Sequence, residues 1–307
     1  MLLLKLNRTV LAIVALSLSV AGAPAWAAGA QRSDFNGDGK SDILWRHSSG
    51  AVAIWLMDGT QAIGGGQSGV VDPEWQIAGV GDFNVDGRTD ILWRNGTGTL
   101  AVWLMDGTSI IGSGIVTRDG GQVVGATPGS RTLGTGDYDG DGRADILWWM
   151  SSTPQNYSLK AWLMDDGIDV KSRIDLPAAG APNPSPWQVV GSGDYNADGR
   201  SDLFWRHSSG ALAIWFVDGG PSHRFQQQYI IGGGGAGTAD PAWQVVGWGD
   251  YNADGRADIL WRHSSGAAAI WMMNGTQAIG GGLFTAVDPA WQIVGTGDYD
   301  GDGRADI

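Results

Sequence analysis

There is no cysteine among the 307 residues. No disulfide can staple this chain, and a cysteine nucleophile is excluded. Positive charge is scarce: 19 Lys and Arg stand against 32 Asp and Glu, for a formal net charge of −13 at pH 7. A chain with no basic stripe is not built to hold nucleic acid. Histidine occurs four times, and neither H-E-x-x-H nor G-x-S-x-G is present. Catalysis needs one asymmetric constellation of nucleophile, base and orienting group. Here Asp, His and Ser mostly fill repeated positions, and His223 is the only histidine outside that pattern. Past residue 27, no apolar run reaches the length of about 20 residues that crosses a bilayer.

The chain does start with an apolar run. Lys5 and Arg8 make a basic start, Val10 to Val20 an apolar centre, and Ala25-Trp26-Ala27 an A-x-A cleavage site. That order is the signature of a signal peptide. Residues 1–27 are expected to be removed, leaving 28–307 with no transmembrane anchor. The mature chain is expected in the periplasm, at the cell surface or secreted.

What the chain has in abundance is one acidic loop, D-x-(D/N)-x-D-G-x-x-D, six times over. The first copy places Asp34, Asn36, Asp38, Lys40 and Asp42 at positions one, three, five, seven and nine. The second has Asp82, Asn84, Asp86, Arg88 and Asp90 there, and the third Asp137, Asp139, Asp141, Arg143 and Asp145. The fourth has Asp194, Asn196, Asp198, Arg200 and Asp202, and the fifth Asp250, Asn252, Asp254, Arg256 and Asp258. The sixth has Asp298, Asp300, Asp302, Arg304 and Asp306. A Gly always follows position five, where the turn obstructs a Cβ.

Alternate residues of a short curled loop aim their oxygens at one point. Calcium is a hard cation that takes six to eight oxygen ligands. Without a cation, the crowded carboxylates repel one another. The expectation is one structural Ca2+ per loop, held by the side chains at positions one, three, five and nine and by the backbone carbonyl at seven. An Asp/Gly turn without metal is the simpler alternative for any single copy. The six loops contain 20 of the 32 acidic residues. Removing Lys5 and Arg8 takes the formal charge from −13 to −15, and six dications would bring it to −3. The acidity therefore reads as metal sites rather than as a surface for basic partners.

These are not EF-hands, which need a bidentate Glu at position twelve. Position twelve here is Trp45, Trp93, Trp148, Trp205 and Trp261 in the five copies that reach it. With strand-like runs on both sides, the loop resembles that of the FG-GAP/VCBS repeat family, the integrin-α-like calcium-binding β-propellers. The resemblance covers about residues 34–307.

Successive loops are 48, 55, 57, 56 and 48 residues apart, a period that points to a propeller or solenoid. The unit is clearest from Trp243. Trp243–Gly249, Asp258–Arg262 and Ala267–Met273 read as three strands, and a Gly-rich fourth run starts at Gln277. The predicted fold is all-β, a propeller of four-stranded antiparallel blades, with about five and a half repeats in the sequence. Trp recurs on the first, second and third strands and is expected to pack between blades. The first unit lacks its first strand and the last stops inside its second. We read this as a truncated chain, with six or seven blades in the complete protein. An incomplete five-blade ring with a spare strand is the alternative, and the repeat of the loop at Asp298 argues against ring closure there.

Up-and-down strand order puts the turns between second and third strands at the end opposite the acidic loops. That end collects Arg46, His47, Arg94, Arg206, His207, Arg262 and His263. These are a possible ligand face, or simply solvated hairpin turns. The sequence as a whole predicts an exported calcium-binding propeller acting as a binding or adhesion module. Its partner would be carbohydrate or an extracellular protein. A lectin using the face opposite the loops is the alternative, and an enzyme or enzyme-associated domain the third reading.

Overall fold

The computed structural model describes residues 33–118, 121–123, 130–153, 156–165, 167–176, 186–217, 225–229 and 238–307. The signal sequence, His223, the tip of the third repeat's insertion and most of the long connections between repeats lie outside the described residues.

Each of the first five repeats folds around an up-and-down antiparallel sheet. The fifth is the reference: Trp243–Gly249, Asp258–His263, Ala267–Asn274 and Gln277–Ala286, hydrogen-bonded in that order. The predicted strands of this unit agree to within one residue. The second and fourth repeats have the same four-strand order. The first has three strands, Ile43–Arg46, Ala51–Asp58 and Gln61–Val70. The third extends to six, because Thr117–Arg118 pairs in parallel with Asp169 and Val170 and carries Gln122–Val123 with it. Five sheets thus form the blades of a β-propeller. The sixth repeat contributes a bridge between Gly297 and Asp306.

The core lies between blades. Phe204, Leu212 and Ile214 of the fourth repeat pack on Trp261 and Trp271 of the fifth. Val52 and Ile54 of the first pack on Trp93 and Trp103 of the second. Trp93, Trp148, Trp205 and Trp261 are at most 2% exposed, which fits the packing role read from the sequence. Each such ring removes about 150–250 Å² from water. Within a blade, each lies against the third-strand Trp at centroid distances of 4.5–5.0 Å.

The six acidic loops make one circle. The backbone N–H at position eight of each loop donates to the carbonyl of the first Asp in the loop before it. Thr89 donates to Asp34, Ala144 to Asp82, Ser201 to Asp137, Ala257 to Asp194 and Ala305 to Asp250, at 2.6–2.8 Å. Ser41 donates to Asp298 at 2.6 Å, so the sixth loop meets the first in the same way. A second bond repeats the match: Gly107 N–H donates to Phe35, and Gly59 N–H to Tyr299. The repeat of the loop at Asp298, expected from the sequence to argue against a junction there, instead supplies a sixth member of the circle. This approach leaves no room for side chains. A Cβ at Gly249 would lie 2.7 Å from the Ala305 Cβ, and one at Gly297 2.6 Å from the Ser41 Cβ.

Candidate metal centres

The geometry of the loops is set by their own carboxylates. The first Asp accepts backbone N–H groups from positions five and six: Asp250 Oδ1 from Asp254 at 3.1 Å, and Oδ2 from Gly255 at 2.7 Å. Asp34, Asp82, Asp137 and Asp194 do the same. Asp298 accepts from Gly301 and Gly303. Position five accepts the N–H of position seven in all six loops, at 2.8–2.9 Å. Lys40, Arg88, Arg143, Arg200, Arg256 and Arg304 thus enter the loop through their backbone. Lys40 and Arg88 also send their side chains outward, to Asp58 and Asp106, whereas Arg143, Arg256 and Arg304 lie 3.5–3.7 Å from the position-five carboxylate of their own loop.

The ninth residue does more than the sequence suggested. Asp202 Oδ2 accepts the Tyr195 N–H at 3.0 Å, and Oδ1 accepts the Val217 N–H at 2.9 Å, fastening the loop to the end of the third strand. Asp42, Asp90, Asp145 and Asp258 make the same two bonds. All five are buried. Burial, with the carboxylates at positions one and five close by (three and one for Asp145), pushes their carboxyls up: to about 6 for Asp42 and Asp258, about 7 for Asp90 and about 8 for Asp145 and Asp202. Burial raises Asp137 as well. At Asp141 burial also pushes upward, but hydrogen bonds from Lys171 and from the Arg143 backbone hold the carboxyl below its ordinary range.

A buried carboxylate among like charges calls for a cation. Asp137, Asp139 and Asp145 bring one oxygen each within 4.8 Å of one another, and so do Asp298, Asp300 and Asp306. The donors are all hard oxygens, and each of these groups could hold a metal ion. Asn36, Asn84, Asn196 and Asn252 fill position three in the other four loops.

Backbone angles explain the glycines and expose one thing sequence reading missed. Gly at position six has φ between +81° and +88° in all six loops, as expected. Position four is also left-handed. It is Gly37, Gly140 and Gly301 in three loops but Val85, Ala197 and Ala253 in the others, at φ of 60–62°. A β-branched residue is strained there. Val85→Gly is expected to stabilise the protein by about 1 kcal/mol or more, visible as a higher urea midpoint. A lower midpoint would show that the angle carries no strain.

The FG-GAP-like repeat is matched over residues 82–148, 194–261 and 250–307. This chain belongs to the FG-GAP-like repeat family. No curated protein matches it. Among solved structures it is similar to an Agrocybe aegerita lectin that recognises non-reducing terminal N-acetylglucosamine. The identity is 18%, over 89% of this chain and 72% of the lectin, with a TM-score of 0.56. A Myceliophteria thermophila Cps50 (Swd1) β-propeller domain is 12% identical over 85% of this chain and 72% of its own, with a TM-score of 0.42. The SapL1 lectin, solved with alpha methyl fucoside, is 15% identical over 81% and 76%, with a TM-score of 0.41. The likeness to the Agrocybe aegerita lectin, at 18% identity, speaks to the fold alone.

The opposite end of this FG-GAP-like propeller carries the Arg-His turns, as strand order required. The arginines there are spent on backbone. Arg46 Nη2 donates to the carbonyls of Val71, Asp72 and Trp75, at 3.2–3.3 Å. Arg262 bonds Gly266, Val287, Asp288 and Trp291 in the same manner. Arg206 reaches Asp240, and Arg94 reaches Ser130. Each clips a second strand to the connection into the next blade. Arg46 and Arg206 also lie over Trp93 and Trp261.

The histidines are placed differently. His47 is exposed, and His207 and His263 are half-buried. Each accepts at Nδ1 from the backbone N–H of Ser49, Ser209 or Ser265, at 3.0–3.1 Å. An Nδ1 that accepts leaves Nε2 to carry the proton in the neutral ring. His207 and His263 also lie 5.0 and 4.9 Å, centroid to centroid, from Trp187 and Trp243.

Proposed function

We propose that this protein is an exported, calcium-stabilised β-propeller whose role is to bind rather than to catalyse. The observation that carries the calcium reading is the buried ninth Asp beside two further acidic positions, repeated around a closed circle of loops. In each loop the side chains at positions one, three, five and nine would hold the ion, with the carbonyl at seven. Bound calcium would neutralise carboxylates that otherwise resist ionisation. We read the complete ring as six-bladed, because the sixth loop bonds the first as every other loop bonds its neighbour. Acidic, His and Ser side chains are largely committed to repeat positions, which favours repeated binding over a single catalytic centre.

Carbohydrate is the ligand class we favour. A shallow site that repeats from blade to blade suits a repeated ligand. Histidines held in one tautomer, two of them beside a half-buried Trp, offer an Nε2–H donor and an apolar ring to a sugar. The fold is shared with a lectin. The arginines, tied to main-chain carbonyls, serve this face as scaffold. A glycan array run with the signal-cleaved protein in millimolar calcium, and again after chelation, tests this. Calcium-dependent binding to one sugar class, weakened at least about tenfold by His207→Ala together with His263→Ala, is expected. Binding of no glycan by folded, calcium-loaded protein would move the reading to a protein partner.

A further inference from the structure

The third loop differs from its neighbours in a way that bears on its cation. In four loops, the outer oxygen of the position-five carboxylate is met by the Asn at position three. Asn36, Asn84, Asn196 and Asn252 donate through Nδ2 to Asp38, Asp86, Asp198 and Asp254 at 3.0–3.1 Å. The third loop has Asp139 at that place, so the amide donor is gone and a fourth carboxylate has been added. Lys171 takes over the hydrogen bonding, beside the Arg143 guanidinium 3.5 Å from Asp141 Oδ2. Its Nζ donates to Asp139 Oδ2 and Asp141 Oδ2, both at 3.0 Å.

Strand register shows that the lysine is peculiar to this blade. Met164 pairs with Val170, as Met57 pairs with Ala62, Met105 with Ile110 and Met273 with Ala278. The next residue is Lys171 in the third blade and Ile63, Ile111 and Ile279 in the first, second and fifth; in the fourth, Val217 pairs with Phe225 and Gln226 follows. Those isoleucines are 56–58% exposed. An exposed apolar position has thus become a lysine in the same repeat where an Asn ligand position has become Asp.

We propose that Lys171 is a built-in counter-ion of the third loop: its ammonium bridges two of the carboxylates that would hold calcium, supporting that loop without metal and weakening its metal binding. The proposal rests on the calcium reading above. An ammonium and a dication repel, so the lysine must leave at least one of its two carboxylates for the ion to bind there. Lys171 is 42% exposed, so water is available to receive it and the competition is modest. The two pairs together, at that exposure, correspond to about two- to thirtyfold in a dissociation constant, and five- to tenfold is the middle of that range.

The test is calcium titration by calorimetry on the full mature chain, with amide exchange at Gly140 and Gly142 assigning the third loop. Lys171→Ile places there the residue that the first, second and fifth blades carry. In the natural protein the third loop is expected to fill last. In Lys171→Ile it should fill at about five- to tenfold lower calcium while the other loops are unchanged, and in chelator its amides should exchange faster. Lys171→Arg should keep the weak site. A third loop that fills with the others in the natural protein, or whose affinity Lys171→Ile leaves unchanged or lowers, overturns the proposal while leaving the calcium reading intact. Absence of calcium binding at every loop would remove both.

Discussion

Stripping divalent cations is expected to lower the melting temperature by at least about 10 °C. A site held at 100 times its dissociation constant contributes about 2.7 kcal/mol. A change of 1 kcal/mol moves the melting point of a chain somewhat smaller than this by about 2–4 °C. Two well-filled loops would therefore suffice, and six are linked carbonyl to amide around the ring. The pH dependence should reverse as well. Without metal, Asp42, Asp90, Asp145, Asp202 and Asp258 have carboxyls raised to about 6–8. A carboxyl raised in the folded state favours folding while it is protonated. That contribution is complete below the ordinary Asp pKa near 4 and is lost as pH climbs through the folded values. The chelated protein should therefore melt at lower temperature at pH 8 than at pH 5. With calcium present, protons compete with the ion for the same oxygens, and the melting point should rise over that interval. Scanning calorimetry across pH 5–8, with calcium and with chelator, checks both signs. An unchanged melting point in verified metal-free protein would remove calcium from the account.

Replacing a single ninth-position residue should be nearly as damaging. Asp202→Ala leaves the buried N–H groups of Tyr195 and Val217 without acceptors. Each orphaned donor costs about 1–3 kcal/mol, so a drop of roughly 5–15 °C is expected. Unlike the effect of metal, much of this loss should persist in chelator, because the two bonds are internal to the protein. Amide exchange should quicken first at Tyr195 and Val217 and spread to the fourth blade before the rest of the ring. Equal loosening of all blades would show that the ninth Asp acts on the whole ring rather than as a local clip. Asp202→Asn keeps one acceptor oxygen and removes a charge that burial disfavours. In chelator above pH 8 it should therefore cost much less than the alanine variant.

Much of this was legible before the fold was known. The loop spacing, the period near fifty residues and the alternation after each loop led to four-stranded blades, and the fifth repeat followed that reading strand for strand. Repetition made this possible, since a weak local signal gains weight when five neighbours agree. The roles of the arginines were not legible. Arg46 and Arg262 look like free donors in an Arg-His-Ser-Ser-Gly turn, but apart from Gly266 their acceptors lie 25–29 residues away in the next connection. The left-handed angle at Val85 was hidden for a different reason. Three loops have Gly at position four and three do not, so composition masked a shared backbone requirement.

The sequence by itself determined the unit: its strands, its turns and the acidic positions of its loop. Those depend on residue type and spacing within about ten positions, where chain geometry alone sets which side chains share a face. Only the tertiary structure decided how the units meet. It brought Ser41 to Asp298 across more than 250 residues, placed the ninth Asp where two buried amides converge, and set Lys171 on the third loop. Each of these needs two segments, distant along the chain, to be packed side by side, and a contact of that kind has no local signature in either segment.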